Sequence, residues 1–220
     1  MTSPSPFYLK QLEVGMMQNF NYLIGDPETK ECAWVDPAWE VDRLLKMAKA
    51  DGYQIKKILL THNHFDHIDG VEAVVKATGA EVYIHPEDEA PVRKKAAHII
   101  PATAGMEFKI GHLKVAAIHT PGHTPGSTCY LVEDLHLVTG DTLFQGNCGR
   151  CDLPGSSPQR LFESLQHLKS LDPSTKVYPG HDYGTRTVTT IGYEKEHNPT
   201  MQVGCPEPCR REGEGHYRRG

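Results

Sequence analysis

The chain has 220 residues, of which 38% are hydrophobic and 23% charged, and its formal net charge is −5 with all 13 histidines counted as neutral. That length supports one sizeable hydrophobic core. The mildly acidic net charge gives no indication of a basic surface that would bind nucleic acid or an anionic membrane. No apolar run approaches the roughly 18 to 20 residues of a membrane span, and the first residues lack the pattern of a signal peptide. We therefore expect a cytoplasmic protein that binds neither nucleic acid nor membrane.

Short β-like runs recur along the chain, and helical patterns separate some of them. Strands are predicted, in chain order, at residues 20–25, 31–36, 56–61, 80–85, 113–120, 127–132, 136–141 and 176–181. Apolar periodicity predicts helices, also in chain order, at 41–52, 70–79 and 157–171, with 86–98 as a further candidate. This order favours a single α/β domain over residues 1–202, with two sheets and outer helices. Residues 203–220 are rich in Gly, Pro and charge, which predicts a flexible tail.

The stretch THNHFDHIDG at residues 61–70 directly follows a predicted strand and is unusually rich in potential metal ligands. These ligands are His62, His64, Asp66 and His67. Imidazole and carboxylate groups together suit a divalent ion such as zinc, iron or manganese. A single tetrahedral site takes four ligands, so the motif alone does not decide between one ion and a share in two.

Three later segments also place polar residues after predicted strands, where α/β proteins carry reactive groups. They contribute His123 in HTPGHTPGS, Asp141 in TGDTLF and His181 in YPGHD. Counting ligands assigns His62, His64 and His123 to one ion, Asp66, His67 and His181 to a second, and Asp141 to both. Two neighbouring divalent ions, zinc before iron or manganese, would lower the pKa of a shared water and polarise a carbonyl. His119 is expected at the edge of this site, behind the ligands.

The motifs and their order resemble the metallo-β-lactamase superfamily over residues 8–202. THNHFDH is similar to its T-H-x-H-x-D-H signature, and HTPGHTPGS, GDTLF, GRCDLPG and YPGHDYG follow in the family's order. The resemblance implies a four-layer αβ/βα sandwich of two mixed sheets flanked by helices, with metal ions at one edge. It also implies that Asp36 in WVDP supports the metal-binding loops without binding an ion.

Within the superfamily, GDTLFQGNCGRCDLPG, YPGHDYG and YEKEHNP resemble the glyoxalase II-like branch, the hydroxyacylglutathione hydrolases. Such enzymes hydrolyse S-acylglutathione thioesters, and the resemblance implies that Arg150 and Tyr183 contact the thiol-bearing half of a small-molecule substrate. The ligand count adds a mechanism in which a metal-bridging hydroxide attacks the thioester and Asp66 orients it. The larger glyoxalase II enzymes hold glutathione with a C-terminal helical domain that this chain is too short to include, which leaves the thiol carrier open.

Other activities fit parts of the same pattern. Persulfide dioxygenases resemble this branch but bind one iron through two histidines and an aspartate. Here these would be His123, Asp141 and either His62 or His64, of which His62 is the better match to the family. A lactone or ester hydrolase of the same fold and a metal-binding module without catalysis are weaker alternatives. Neither the oligomeric state nor the role of the cysteine pairs Cys148/Cys151 and Cys205/Cys209 follows from the sequence.

Overall fold

The computed structural model describes residues 7–202, and six of its strands form a first, mixed sheet in chain order. These strands are β1 (Tyr8–Val14), β2 (Asn19–Gly25), β3 (Glu31–Val35), β4 (Gln54–Leu59), β5 (Glu81–Ile84) and β6 (Ile99–Pro101). The first three pair antiparallel and the later ones parallel. Parallel pairing requires crossover connections, which here contain α1 (Val41–Ala50) between β3 and β4, then α2 (Phe65–Ile68) and α3 (Val71–Thr78) between β4 and β5.

The second sheet is also mixed, with the strand order β14-β13-β10-β9-β8-β7. Its strands are β7 (Glu107–Ile110), β8 (Leu113–His119), β9 (Thr128–Val132), β10 (His136–Gly140), β13 (Lys176–Pro179) and β14 (Thr189–Thr190). The crossover from β10 to its parallel neighbour β13 carries a small hairpin, β11 (Leu143–Phe144) and β12 (Asn147–Cys148), and the helix α4 (Pro158–Leu168). Two short helices, α5 (Ile191–His197) and α6 (Pro199–Gln202), follow β14.

The two sheets pack face to face, and helices cover their outer faces. Because side chains alternate across a strand, Tyr22 and Ile24 of β2 join a central cluster that includes Tyr130 of the second sheet. Leu23, between them, packs outward with residues of α1 and α3, and the opposite outer cluster joins the second sheet to α4, α5 and α6. The predicted four-layer sandwich is confirmed.

The sequence analysis was wrong about a helix at residues 86–98. The structure has a 3-10 turn at Pro86–Asp88 and then isolated turns. Pro91 explains this difference, because proline has no N–H to donate and disfavours the helical conformation of the residue before it. The strands β1, β6, β7, β11, β12 and β14 and the helices α2, α5 and α6 were not predicted. The expected tail at 203–220 lies outside the described residues.

At one edge of the sandwich the two sheets are joined by main-chain hydrogen bonds. Thr128 of β9 donates to the carbonyl of Thr61 after β4, and Phe20 of β2 donates to that of Gly180 after β13, both at 2.8 Å. A Cβ atom at Gly180 would collide with the carboxylate of Asp141, so only glycine allows this close approach. The loops that follow the strands at this edge are therefore held against one another. Between residues 7 and 202, no helix is both long and apolar enough to cross a membrane.

Candidate metal centre

The structure brings together all seven side chains that the sequence analysis assigned to metal binding. They follow strands β4, β8, β10 and β13 or belong to the short helix α2. All are buried except one, which is partly buried. In chain order they are His62, His64 (the partly buried one), Asp66, His67, His123, Asp141 and His181.

One half of the centre consists of imidazoles alone. Ligand atoms of His62, His64 and His123 all lie within 4.8 Å of one another. His64 Nδ1 is 3.0 Å from His123 Nε2, close to the separation of about 3.3 Å that two nitrogens have on one tetrahedral zinc ion. We call these three residues the imidazole half.

The other half combines one carboxylate with two imidazoles. His67 Nε2 is 3.2 Å from His181 Nε2, and Asp66 Oδ2 lies 3.4 Å from the first of these nitrogens and 3.5 Å from the second. The same three residues form a group of ligand atoms within 4.8 Å of one another. We call Asp66, His67 and His181 the mixed half.

Asp141 lies between the two halves. Its Oδ1 is 3.5 Å from His67 Nε2. Its Oδ2 is 3.5 Å from His123 Nε2 and 3.4 Å from His181 Nε2. One carboxylate thus approaches imidazoles of both halves, which is the geometry of a bridging ligand.

Hydrogen bonds on the outer side of the rings determine which nitrogen faces the centre. His123 Nδ1 is 2.7 Å from the carbonyl oxygen of Arg150, and His181 Nδ1 is 2.8 Å from that of Met17. A carbonyl oxygen only accepts, so both Nδ1 atoms donate and each neutral ring has an unprotonated Nε2. A metal-bound histidine characteristically has such an outer partner.

Asp36 orients two further rings, one directly and one through Thr61. His67 Nδ1 donates to Asp36 Oδ2 at 3.0 Å. Thr61 Oγ1 donates to the same oxygen at 2.6 Å and therefore accepts from His62 Nδ1, 3.0 Å away. His62 Nε2 is consequently an unprotonated nitrogen, and it is buried without a hydrogen-bond partner. An unpartnered buried acceptor is costly unless a cation binds it.

The charges of the centre also favour a cation. Burial acts to lower the pKa of His67, but the carboxylates of Asp141, Asp36 and Asp66 raise it well above its usual value. Burial acts to raise the pKa of Asp141, but the charge of His67 and the neighbouring imidazoles of His181 and His123 lower it to about 2. Asp141 is therefore ionised at neutral pH and stabilises positive charge beside it. Nitrogen and oxygen donors in this combination fit zinc, iron or manganese.

The imidazole half differs in its electrostatics. Burial and the neighbouring His123 lower the pKa of His64 to about 4. Burial and the charge of His67 also bring the pKa of His62 well below its usual value. His62 and His64 are therefore neutral donors at physiological pH, ready to bind a metal without first losing a proton.

Asn19, which the sequence analysis did not single out, positions the carboxylate of the mixed half. Its Nδ2 donates to Asp66 Oδ2 and to the Asp66 carbonyl oxygen, both at 3.0 Å. Asn19 is buried at the start of β2 and 47 residues from Asp66 in the chain. A single asparagine at that separation gives no sequence signal, because only the fold brings the two residues together.

Asp88 plays the corresponding part for the imidazole half and was also missed. Its carboxylate accepts from Thr124 Oγ1 at 2.6 Å and from the Gly126 N–H at 2.9 Å. The backbone N–H of Asn63 donates to it as well. Asp88 is fully buried, and it ties the loop between His62 and His64 to the loop that follows His123.

A cleft of about 690 Å³ opens over the metal centre and is lined by residues of both halves. Arg150 and Tyr183, the two predicted substrate contacts, both line it. The guanidinium of Arg150 donates twice to the carboxylate of Asp152, at 2.7 and 3.0 Å. The ring of Tyr183 stacks on that of His181 with 4.6 Å between centroids.

His119 lies to one side of this arrangement. Its Nε2 donates to the carbonyl oxygen of Pro125 at 2.9 Å, and its ring stacks on that of His85 with 3.9 Å between centroids. The carboxylate of Glu87 is 3.7 Å from the same Nε2. His119 thus contacts the loop after His123 through Pro125.

The cysteines of the CGRC segment border the cleft. Cys148 is partly buried and lines the cleft, whereas Cys151 is buried. No disulfide joins them. Cys205 and Cys209 lie outside the described residues.

Comparison with known proteins agrees with this architecture. Residues 14–181 match the family model for the metallo-beta-lactamase superfamily. A probable polyketide biosynthesis zinc-dependent hydrolase, BaeB of Bacillus velezensis, is 36% identical over 172 residues, which span 78% of this chain and 76% of that protein. A hydroxyacylglutathione hydrolase of Ectopseudomonas mendocina is 34% identical over 200 residues, or 90% of this chain and 74% of that protein.

A solved structure adds a third relative. ETHE1 from Myxococcus xanthus matches with a TM-score of 0.80 and 36% identity, covering 87% of this chain and 83% of that chain. The two curated relatives are named for different activities, so the comparisons support a shared fold and family rather than any single reaction. The family model covers well over half of the sequence, and the chain belongs to the metallo-beta-lactamase superfamily.

Proposed function

We propose that this protein is a dinuclear metallohydrolase that cleaves a thioester such as an S-acylglutathione. The observation that carries the proposal is the position of Asp141, whose two oxygens lie within 3.5 Å of Nε2 atoms from both halves. Two divalent ions held by these residues would lower the pKa of a shared water and polarise a substrate carbonyl. Similarity to a hydroxyacylglutathione hydrolase supports the thioester as substrate.

Each half of the centre would hold one ion. The imidazole half would bind the first, the mixed half the second, and Asp141 both. We propose zinc ahead of iron or manganese, because neutral imidazoles dominate the donor set and the relative BaeB is described as zinc-dependent.

In the reaction, the oxygen of water bonds to the thioester carbonyl carbon and the carbon–sulfur bond breaks, which releases a carboxylic acid and a thiol. Asp66 lines the cleft and is held by Asn19. Burial acts against its ionisation, but hydrogen bonds from His67 and Asn19 lower its pKa below the usual value. The ionised Asp66 can therefore accept a hydrogen bond from the attacking water and orient it. A thiolate leaves readily, so the cleft needs no dedicated acid.

Metal content and turnover together test this proposal. The protein, purified without a metal-binding tag, should contain close to two ions per chain by elemental mass spectrometry and should hydrolyse S-lactoylglutathione. Asp66→Ala should lower kcat by about a hundredfold or more, the size typical of a lost acid–base contact, while the unfolding transition stays in place. Unchanged turnover in that variant would remove Asp66 from the mechanism.

A mononuclear iron persulfide dioxygenase is the second candidate. Similarity to the Myxococcus xanthus ETHE1 structure favours it, because human ETHE1, which is 28% identical over 219 residues, is named a persulfide dioxygenase. His62, His123 and Asp141 would supply the two histidines and one carboxylate of such an iron site. One iron per chain with oxygen uptake on glutathione persulfide, and no thioester hydrolysis, would select this activity.

A further inference from the structure

We propose that the cleft contains a subsite for an apolar acyl chain, so that the preferred substrates are thioesters of unbranched hydrocarbon acids rather than of small hydroxy acids. This inference rests on the proposed thioester hydrolysis. Among residues 7–202, five large hydrophobic side chains are exposed, namely Met16, Met17, Phe65, Leu135 and Tyr183. Three of the five line this one cleft, with exposed fractions of 39% for Met17, 59% for Phe65 and 54% for Tyr183. Concentrated exposed apolar surface marks a binding site.

Part of this surface forms a wall beside the mixed half. The ring of Tyr183 stacks on His181, and the ring of Phe144 lies 5.4 Å from Tyr183 and 6.0 Å from His181, centroid to centroid. Met17 adjoins the same histidine through its carbonyl oxygen, which accepts from His181 Nδ1 at 2.8 Å. We call Met17, Phe144 and Tyr183 the apolar wall.

Arg150 lies on the side of the imidazole half, in a lining that also includes Leu153 and Pro154. The carbonyl of Arg150 accepts from His123 Nδ1, which places this residue next to the imidazole half. Its guanidinium is the one cationic side chain in the lining and is paired twice with Asp152. A substrate that spans Asp141 therefore meets apolar surface in one direction and a charge-paired arginine in the other.

The acyl part and the thiol-bearing part of a biological thioester differ in the same way. Thiol carriers have amide and charged groups, whereas the acyl group is the part that can be purely hydrocarbon. With the thioester carbon above Asp141, the acyl chain would follow the apolar wall and the thiol-bearing half would extend toward Arg150. Tyr183 then contacts the acyl side, whereas the family resemblance implies the thiol side.

The size of the cleft favours a small molecule over a protein segment as the occupant of the wall. Its volume of about 690 Å³ falls within the roughly 300 to 1,000 Å³ of small-molecule sites. The wall is also continuous with the reacting centre, since it stacks directly on His181. Both features place the acyl chain of the substrate there.

A series of thioesters on one thiol tests the inference. The metal-loaded full chain would be assayed with N-acetylcysteamine thioesters of acetate, butyrate, hexanoate and octanoate, and with S-lactoylglutathione. Each methylene that the wall buries should raise kcat/KM by about three- to fourfold, and hexanoyl should exceed acetyl by at least about tenfold. A flat or falling series with measurable hydrolysis overturns the inference alone. Inactivity on every thioester overturns the proposed function and the inference with it.

A matched pair of variants tests where the acyl chain of the substrate lies. Met17→Ser keeps the carbonyl that holds His181 but removes apolar surface from the wall, and should lower the hexanoyl-to-acetyl ratio of kcat/KM by about threefold or more. Leu135→Ser is the control, because Leu135 is 45% exposed and lies outside the cleft; its ratio should match that of the unchanged protein. An unchanged hexanoyl-to-acetyl ratio in Met17→Ser would show that the acyl chain does not lie on the apolar wall.

Discussion

Each half of the metal centre has three ligands of its own, but the two halves differ in charge. His62 and His64 of the imidazole half are neutral donors, with the pKa of His64 lowered to about 4 by burial and by His123. The mixed half carries the ionised Asp66 and a histidine whose pKa its carboxylate neighbours raise. Neutral ligands leave more positive charge on a bound ion than a carboxylate does. The imidazole half is therefore suited to polarising a carbonyl, and the mixed half to holding and orienting water.

The supporting residues divide in the same way. Asn19 contacts the mixed half, through Asp66 and His67, and Asp88 contacts the loops of the imidazole half. Asp141 and Asp36 serve both halves. On the proposed assignment of one ion to each half, changing a residue that serves both halves should disturb both ions, whereas changing Asn19 or Asp88 should disturb one.

Asp141→Ala should have the largest effect. Removing the carboxylate that lies beside the inward-facing Nε2 atoms of both halves should lower metal content in both and reduce kcat/KM by about a thousandfold or more, equivalent to roughly 4 kcal/mol of transition-state stabilisation. Elemental analysis and thioester turnover on the same preparation measure this. Retention of two ions with near-normal turnover would show that Asp141 is not a bridge.

Single ligand changes in each half should separate the two ions. His123→Ala and His181→Ala should each retain about one ion per chain and lose turnover by about a hundredfold. The two variants should differ in which residual ion they hold, so cobalt substitution should give two distinct visible spectra. Identical spectra, or loss of both ions in either variant, would mean that the halves do not bind independently.

The sequence indicated the side chains that come together in this centre far better than the residues that support them. Histidines and aspartates clustered in residues 61–67 and placed after three later strands are informative because such residue types rarely concentrate without a metal. Asn19 and Asp88 are single polar residues whose roles arise from tertiary contacts 47 and 36 residues along the chain. The division of charge between the halves was not predictable either, since it depends on burial and on distances between side chains.

Prediction of the secondary structure was limited in a similar way. Strands with apolar runs were recognised in both sheets. The three-residue strand β6 and the four-residue helix α2 are too short for hydrophobic periodicity to identify. The expected helix at 86–98 failed because Pro91 outweighs the surrounding helix-forming residues. That segment instead turns, and the turn delivers Asp88 to the imidazole half.

Asp36→Asn should have a moderate effect on both halves. Asparagine tolerates the left-handed backbone of this position, where φ is 51°, so the loop should keep its shape. The carboxylate accepts from the Thr61 N–H at Oδ1 and from Thr61 Oγ1 and His67 Nδ1 at Oδ2. An amide has one oxygen and cannot satisfy all three donors, so metal affinity should fall by about 10- to 100-fold in both halves. Competition against a chromophoric chelator measures the two affinities. A change confined to the mixed half would show that Thr61 positions His62 without Asp36.

Asp88→Asn should have the smallest effect, limited to the imidazole half. The carboxylate accepts from Thr124, Gly126 and Asn63, whereas an amide has one oxygen, so at least one buried donor would face the NH₂ group. An unsatisfied buried donor costs about 1 to 3 kcal/mol of unfolding free energy, which chemical denaturation of the metal-free chain can measure. In the metal-loaded protein the ion of the imidazole half should dissociate faster while that of the mixed half is retained, with Asn19→Ala as the mirror-image control. Equal loss of both ions from either variant would show that the two halves share one supporting network.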